Sequence, residues 1–101
     1  MLIFNITFLV SDQVASKWRD WVHAVHIPFM MESGCFSKPQ VAKVLSEHGQ
    51  DGTSYSVQYH VADMINLEQW QRQHGQDMQQ ECNATFGQEV LFFTTVLELL
   101  Q

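Results

Sequence analysis

Lys17-Trp18-Arg19-Asp20-Trp21-Val22-His23-Ala24-Val25-His26-Ile27-Pro28-Phe29 is the stretch on which the fold turns. At about 100° per residue, Val14, Trp18, Trp21, Val22, Val25 and Phe29 fall on one helical stripe, with Asp20 and His23 opposite. A helix face carrying two tryptophans one turn apart must bury against a second layer. Ser11 or Asp12 is placed to cap its start. Pro28 removes a backbone donor and disfavours helical geometry at Ile27, which predicts a break near His26 and Ile27. A second short helical piece then runs from Pro28 to Ser33 and is closed by Gly34.

Working outward, Leu2 to Val10 alternates Leu2, Phe4, Ile6, Phe8 and Val10 against Ile3, Asn5, Thr7 and Leu9, the pattern of a strand with one fully apolar face. Phe36 to Ser46 reads as a second strand, and Pro39 predicts that it lies at a sheet edge. His48-Gly49-Gln50-Asp51-Gly52 is turn-forming. Thr53 to Ala62 alternates most cleanly, with Thr53, Tyr55, Val57, Tyr59 and Val61 on one face and Ser54, Ser56, Gln58 and His60 on the other. A second helix starts near Asp63 or Asn66 and runs to about Phe86, with Leu67, Trp70, His74, Met78 and Cys82 as its stripe. Gly87 ends it, and Val90 to Leu100 supplies the last strand.

The order β-α-β-β-α-β is the split βαβ arrangement, so the predicted class is α+β, ferredoxin-like. Right-handed crossovers put both helices on one face of a four-stranded antiparallel sheet ordered 4-1-3-2. One exception is expected within it, strands one and three running parallel at the centre.

Length and composition bound the function. The 101 residues make a single domain, and 46% hydrophobic with 12% aromatic content excludes disorder. A formal charge of −6 with five Lys and Arg argues against a nucleic-acid groove. Cys35 and Cys82 belong to no CxxC or zinc-type spacing, and two lone thiols fit a reducing compartment. The first ten residues lack a basic region and a cleavage site, and no stretch approaches the ~20 apolar residues of a membrane span. The expectation is a cytoplasmic protein with no membrane partner.

With both helices on one side, the other sheet face is open. It carries Asn5, Thr7, Ser56, Gln58 and His60, with Ser54, Ile3, Leu9 and strand-four residues around them. A mixed face of this size predicts a subunit contact, two sheets packing face to face into a dimeric α+β barrel, the alternative being a solvated face on a monomer, which its polar residues also permit. Asn5, Thr7, Ser56, Gln58 and His60 are the candidate interface residues of a homodimer.

Chemistry is less legible. His74 stands in the second helix's stripe between Trp70 and Met78, where a leucine would be ordinary. It could shuttle a proton or ligate a metal axially, or be a core histidine satisfied by a carbonyl. His26 lies at the edge of the first stripe beside the proline break, where its ring could satisfy a freed carbonyl or look into a space opened by the kink. His23, His48 and His60 read as surface, loop and sheet-face residues. No metal site follows from the spacing, no phosphate loop or nucleophile motif is present, and no cofactor is implied. The candidate pocket is Trp18, Trp21, His26, Trp70, His74 and Met78, with His26 and His74 as weak catalytic candidates.

Ile3-Phe4-Asn5, the Trp18-x-x-Trp21 helix with His26-Ile27-Pro28, Gly34, Tyr55-Ser56-Val57-Gln58-Tyr59 and the closing Phe86-Gly87…Phe93-x-Thr95…Leu97-Glu98 together resemble the domain-of-unknown-function family 4286, nearly end to end. The resemblance implies a ferredoxin-like, dimeric α+β barrel and supplies no activity. The wider superfamily includes haem-degrading and quinol-forming monooxygenases, small isomerases and stress-response proteins. Its haem-degrading members use an asparagine on the first strand with a tryptophan and a histidine on the second helix. Asn5, Trp70 and His74 match by residue type, but Trp70 and His74 are one turn apart where that pattern has nearly three.

The leading expectation is a small homodimer binding a small apolar ligand or a protein partner between helices and sheet. One alternative is a cofactor-poor monooxygenase or isomerase with His26 or His74 as general base. The other is a purely structural interaction module. A cavity lined by Trp18, Trp70 and His74 would favour the first two.

Overall fold

The computed structural model describes residues 1–46 and 52–100. Period-two alternation becomes strands β1 (Leu2–Val10), β2 (Phe36–Lys43), β3 (Thr53–Val61) and β4 (Val90–Glu98). They form one sheet in the order β2-β3-β1-β4, which is the expected 4-1-3-2 read from the opposite edge. All neighbouring pairs are antiparallel, β1 with β3 included. The expected parallel pairing of strands one and three is therefore wrong. A helical crossover makes β1 and β2 run the same way, and the direct connection from β2 to β3 then reverses the chain.

The second strand ends at Lys43 rather than Ser46. The turn expected at 48–52 lies outside the described residues except for Gly52. Pro39 does sit on an edge strand, as expected, at a bulge between the pairs Ser37–His60 and Gln40–Gln58.

The first helical region is a continuous rod, not two pieces separated by a break. It comprises α1 (Ala15–Trp21), a π-helical turn (Val22–His26) and α2 (Ile27–Glu32). Pro28 is tolerated because the π turn widens the helix just before it, with the Ile27 N–H donating to the Val22 carbonyl. The wider turn makes room for the pyrrolidine ring that an α-helix would drive into the carbonyl of Ala24.

The second long helix, α3 (Met64–Phe86), starts where Asp63 accepts a side-chain hydrogen bond from the Asn66 N–H at 2.9 Å, an N-cap. It ends at Gly87, whose φ of 59° suits glycine.

The core lies between the helices and the even-numbered residues of β1. Phe4, Ile6, Phe8 and Val10 are buried there with Tyr55, Val57, Tyr59 and Val61 of β3. Rings interlock across the layers. Trp18 stacks on Tyr55 at 4.5 Å between centroids and leans on Phe8 at 5.3 Å. Trp70 meets Phe36 at 5.0 Å and Phe4 at 5.9 Å. The tryptophans are thus the anchors that fix each helix to the sheet, each burying on the order of 150–250 Å².

Candidate functional site

The π turn decides which residue of the first rod faces inward. An uninterrupted α-helix would continue the stripe from Trp18, Trp21 and Val22 to Val25 and Phe29. One extra residue in the turn rotates everything after it by about 100°. Val25 consequently turns out to 37% exposure, and His26 takes its place at 2%, followed by Met30 at 0%. His26 is a core residue, not the break-edge residue expected.

Aromatic rings surround the imidazole. Trp21 stacks along it at 5.4 Å, Phe8 meets it edge-on at 5.5 Å, and Tyr59 lies at 6.0 Å. Burial among these rings penalises the charged form and pushes the His26 pKa down to about 4, so the ring is neutral near pH 7. The expected role, satisfying a carbonyl freed by a helix break, does not apply to Nε2. This atom is buried and has no hydrogen-bond partner among the described residues. The same holds for the Tyr59 hydroxyl, whose pKa burial also raises. Unpaired buried polar groups each cost about 1–3 kcal/mol, and three in one aromatic box, counting the Trp21 indole Nε1, call for an account.

His26 lines a cleft of about 400 Å³ between the first rod and α3. Trp21, Val25 and Phe29 form one wall, and Asp77, Met78 and Glu81 of α3 form the other. The walls are mainly apolar, and the two carboxylates stand on the α3 side. Among the sequence candidates, this cleft unites Trp21, His26 and Met78.

The others fall elsewhere. Trp70 and His74 line two other depressions of about 420 and 250 Å³, one shared with Cys35 and Asn66, the other with Phe29 and Glu32. His74 is half-buried, with its ring 6.2 Å from Trp70 and 6.3 Å from Phe29. It is not in the core although it lies on the apolar stripe. Trp18 lines a different cleft with Arg19 and Lys43. Among the described residues, the cavity around Trp18, Trp70 and His74 that would have favoured the pocket readings is therefore not seen, Trp18 lining one cleft and Trp70 with His74 others. α1 sets Trp18 over Phe8 and Tyr55, whereas α3 sets Trp70 over Phe4 and Phe36.

On the open sheet face, Asn5, Thr7 and Ser56 bond to one another. The Ser56 hydroxyl donates to Asn5 Oδ1, and Asn5 Nδ2 donates to Thr7 Oγ1 at 3.1 Å. Gln58 and His60 lie beside them in register with Asn5 and Ile3. What sequence reading left unnumbered is the β4 side. Leu91, Phe93 and Leu97 pair with Leu9, Thr7 and Ile3 and are 57%, 63% and 40% exposed. The signal was available, since antiparallel register places odd β4 residues on this face.

Among the described residues, no group of three or more His, Cys, Asp or Glu is placed to hold a metal ion. No helix is long and apolar enough to cross a membrane. Cys35 and Cys82 are free thiols, and burial pushes the Cys82 pKa up to about 11, with Glu81 adding to the shift. A thiol so raised is a packing residue at neutral pH, not a nucleophile.

Solved structures share this architecture at low identity. A proposed antibiotic biosynthesis monooxygenase of Deinococcus radiodurans aligns with a TM-score of 0.69 at 18% identity, covering 100% of this chain and 94% of that one. A protein of the ethyl tert-butyl ether d (EthD) family from Bacillus halodurans gives 0.72 at 14% identity, over 99% and 100%. A dimeric ferredoxin-like protein from an uncultured marine organism gives 0.65 at 14% identity, over 99% and 95%. These likenesses show the fold, ferredoxin-like α+β. No relative among curated proteins matches the chain. Residues 1–100 match the model of the family described as domain of unknown function DUF4286, and the chain belongs to that family.

Proposed function

We propose that this protein binds a small apolar molecule in the cleft over His26, and that it works as a cytoplasmic homodimer joined through its open sheet face. The observation that carries the ligand reading is His26 itself, a neutral ring in an aromatic box with an unpartnered Nε2, its centroid 6.0 Å from the ring of Tyr59, whose hydroxyl is also unpartnered. A ligand with an apolar body and one hydrogen-bonding group would meet both needs of the cleft, apolar contact and a polar partner. Free thiols at Cys35 and Cys82 fit the reducing compartment assumed.

The test uses 1-naphthol and naphthalene as probes, followed by the Trp21 indole N–H and the His26 imidazole nitrogens in NMR spectra. Saturable shifts at both residues are expected with 1-naphthol. His26→Phe should weaken 1-naphthol about threefold to tenfold, the worth of one ordinary hydrogen bond, and leave naphthalene unaffected. Absence of saturable change at Trp21 and His26 would remove this reading.

A second reading makes His26 the general base of a cofactor-poor monooxygenase or isomerase. A neutral imidazole in a dry box favours it. The low pKa weighs against it, because a base about three units below working pH abstracts a proton with little driving force. Dioxygen uptake with a hydroquinone, abolished in His26→Phe, would promote this reading over simple binding.

A further inference from the structure

A cleft of about 510 Å³ lies on the other side of the first rod, between α1 and the edge strand β2. Its floor is apolar and aromatic, made by Trp18, Val41 and Tyr55. Its rim is cationic, with Arg19 from α1 and Lys43 from the end of β2, and His23 beside them. The whole chain has only five Lys and Arg against eleven Asp and Glu. Two of those five meet here, and no described carboxylate lines the cleft. Among the described residues neither cation has an ion-pair partner, and the Arg19 guanidinium instead rests over the Tyr55 ring at 5.8 Å.

The edge strand across the cleft from Trp18 is distorted. Lys38 and Pro39 together oppose Tyr59, and Lys38 takes a φ of 51°, unusual for a residue with a side chain. Such a bulge re-aims its strand, and here it puts Pro39 on the cleft wall.

From these features we infer that the α1–β2 cleft is a site for a small organic carboxylate with an apolar tail. Arg19 and Lys43 would meet the carboxylate while the tail lies over Trp18, Val41 and Tyr55. The site does not rest on the His26 cleft, which is lined by a different face of the same rod and rimmed by carboxylates.

The experiment titrates octanoate and, separately, octanol, following the indole N–H signals of Trp18, Trp21 and Trp70, each of which lies at a different cleft. Octanoate should shift the Trp18 signal saturably, and octanol should do so much more weakly. Exposed charges contribute about threefold to fivefold each, so Arg19→Gln with Lys43→Gln should weaken octanoate about tenfold, and Arg19→Lys with Lys43→Arg should retain binding. Both positions are exposed, so the variants are expected to fold, which the dispersion of the same spectra shows. The inference is overturned by a shift confined to Trp21 or Trp70, by equal response to octanol, by no saturable response, or by unchanged octanoate binding in the double glutamine variant.

Discussion

Burial sets the protonation of His26, and that turns a single side chain into a pH-dependent part of the fold. In the unfolded chain its imidazole titrates near 6.5, and in the folded chain near 4. Between those values the unfolded state binds the extra proton, so stability is full above about pH 6.5 and falls as the pH drops through 4. The difference corresponds to about 3 kcal/mol, an upper bound because Asp77 and Glu81 line the same cleft; from β3 the Tyr59 ring lies 6.0 Å from the imidazole. His26→Phe keeps an aromatic ring in the box and removes the titration. Urea unfolding at pH 7, 5.5 and 4 should show the wild type losing stability faster than the variant, and parallel losses would contradict this account. Residue identity alone could not have revealed the burial. On a regular helix Val25 would fill that position, and only the extra residue of the π turn rotates His26 inward. By contrast, Trp18, Trp21 and Trp70 were legible as anchors because each precedes the turn or lies on a regular helix.

At the level of elements, the period-two and helical patterns locate every strand and both helical regions, since alternation and the 3.6-residue stripe follow directly from burial on one face. What the pattern misses is local backbone chemistry. Pro28 signalled trouble in the first rod correctly, but a proline can be met by breaking the helix or by widening it, and sequence does not distinguish these outcomes. Strand direction depends on the crossover together with the reversal between β2 and β3, which turns β3 against β1. Gly52 shows how a single position can hold two elements together. Its φ is 109°, and a Cβ there would stand 2.5 Å from the Val10 carbonyl oxygen at the end of β1. Gly34 has a comparable positive φ of 76° but open space around it. Gly34→Ala should therefore cost only the conformational strain, about 1 kcal/mol, whereas Gly52→Ala should cost about 2 kcal/mol or more because the β1 backbone must also yield. Thermal unfolding of the two variants side by side checks the difference, and equal costs would mean the close approach is not rigid.

At the scale of the whole molecule, the two faces of the sheet pose opposite problems. The helix side is closed by aromatic packing, and the other side leaves Leu91, Phe93 and Leu97 in water beside the self-bonded Asn5–Thr7–Ser56 group. The sequence predicted the open face and its polar half, Asn5, Thr7, Ser56, Gln58 and His60. The apolar half was harder to number, because β4 alternates weakly and Val96 is also exposed on the inner side. Four strands about 4.8 Å apart and eight or nine residues long project roughly 600 Å², close to the ~800 Å² of accessible surface each partner gives to a standard interface. Residues such as Asn5 and Ser56 that satisfy each other can be covered without leaving unpaired groups, so a second copy can close over the face at little polar cost. Phe93, 63% exposed and in register with Thr7, is the natural anchor. The expected outcome is a wild-type dimer mass by sedimentation at micromolar concentration. Phe93→Asp removes the anchor and sets a charge on the buried patch, so dimer affinity should fall about a hundredfold and the mass halve, with the far-ultraviolet dichroism unchanged. Wild-type chains that sediment as monomers, or Phe93→Asp chains that stay paired, would show that the open sheet face is not where two copies meet.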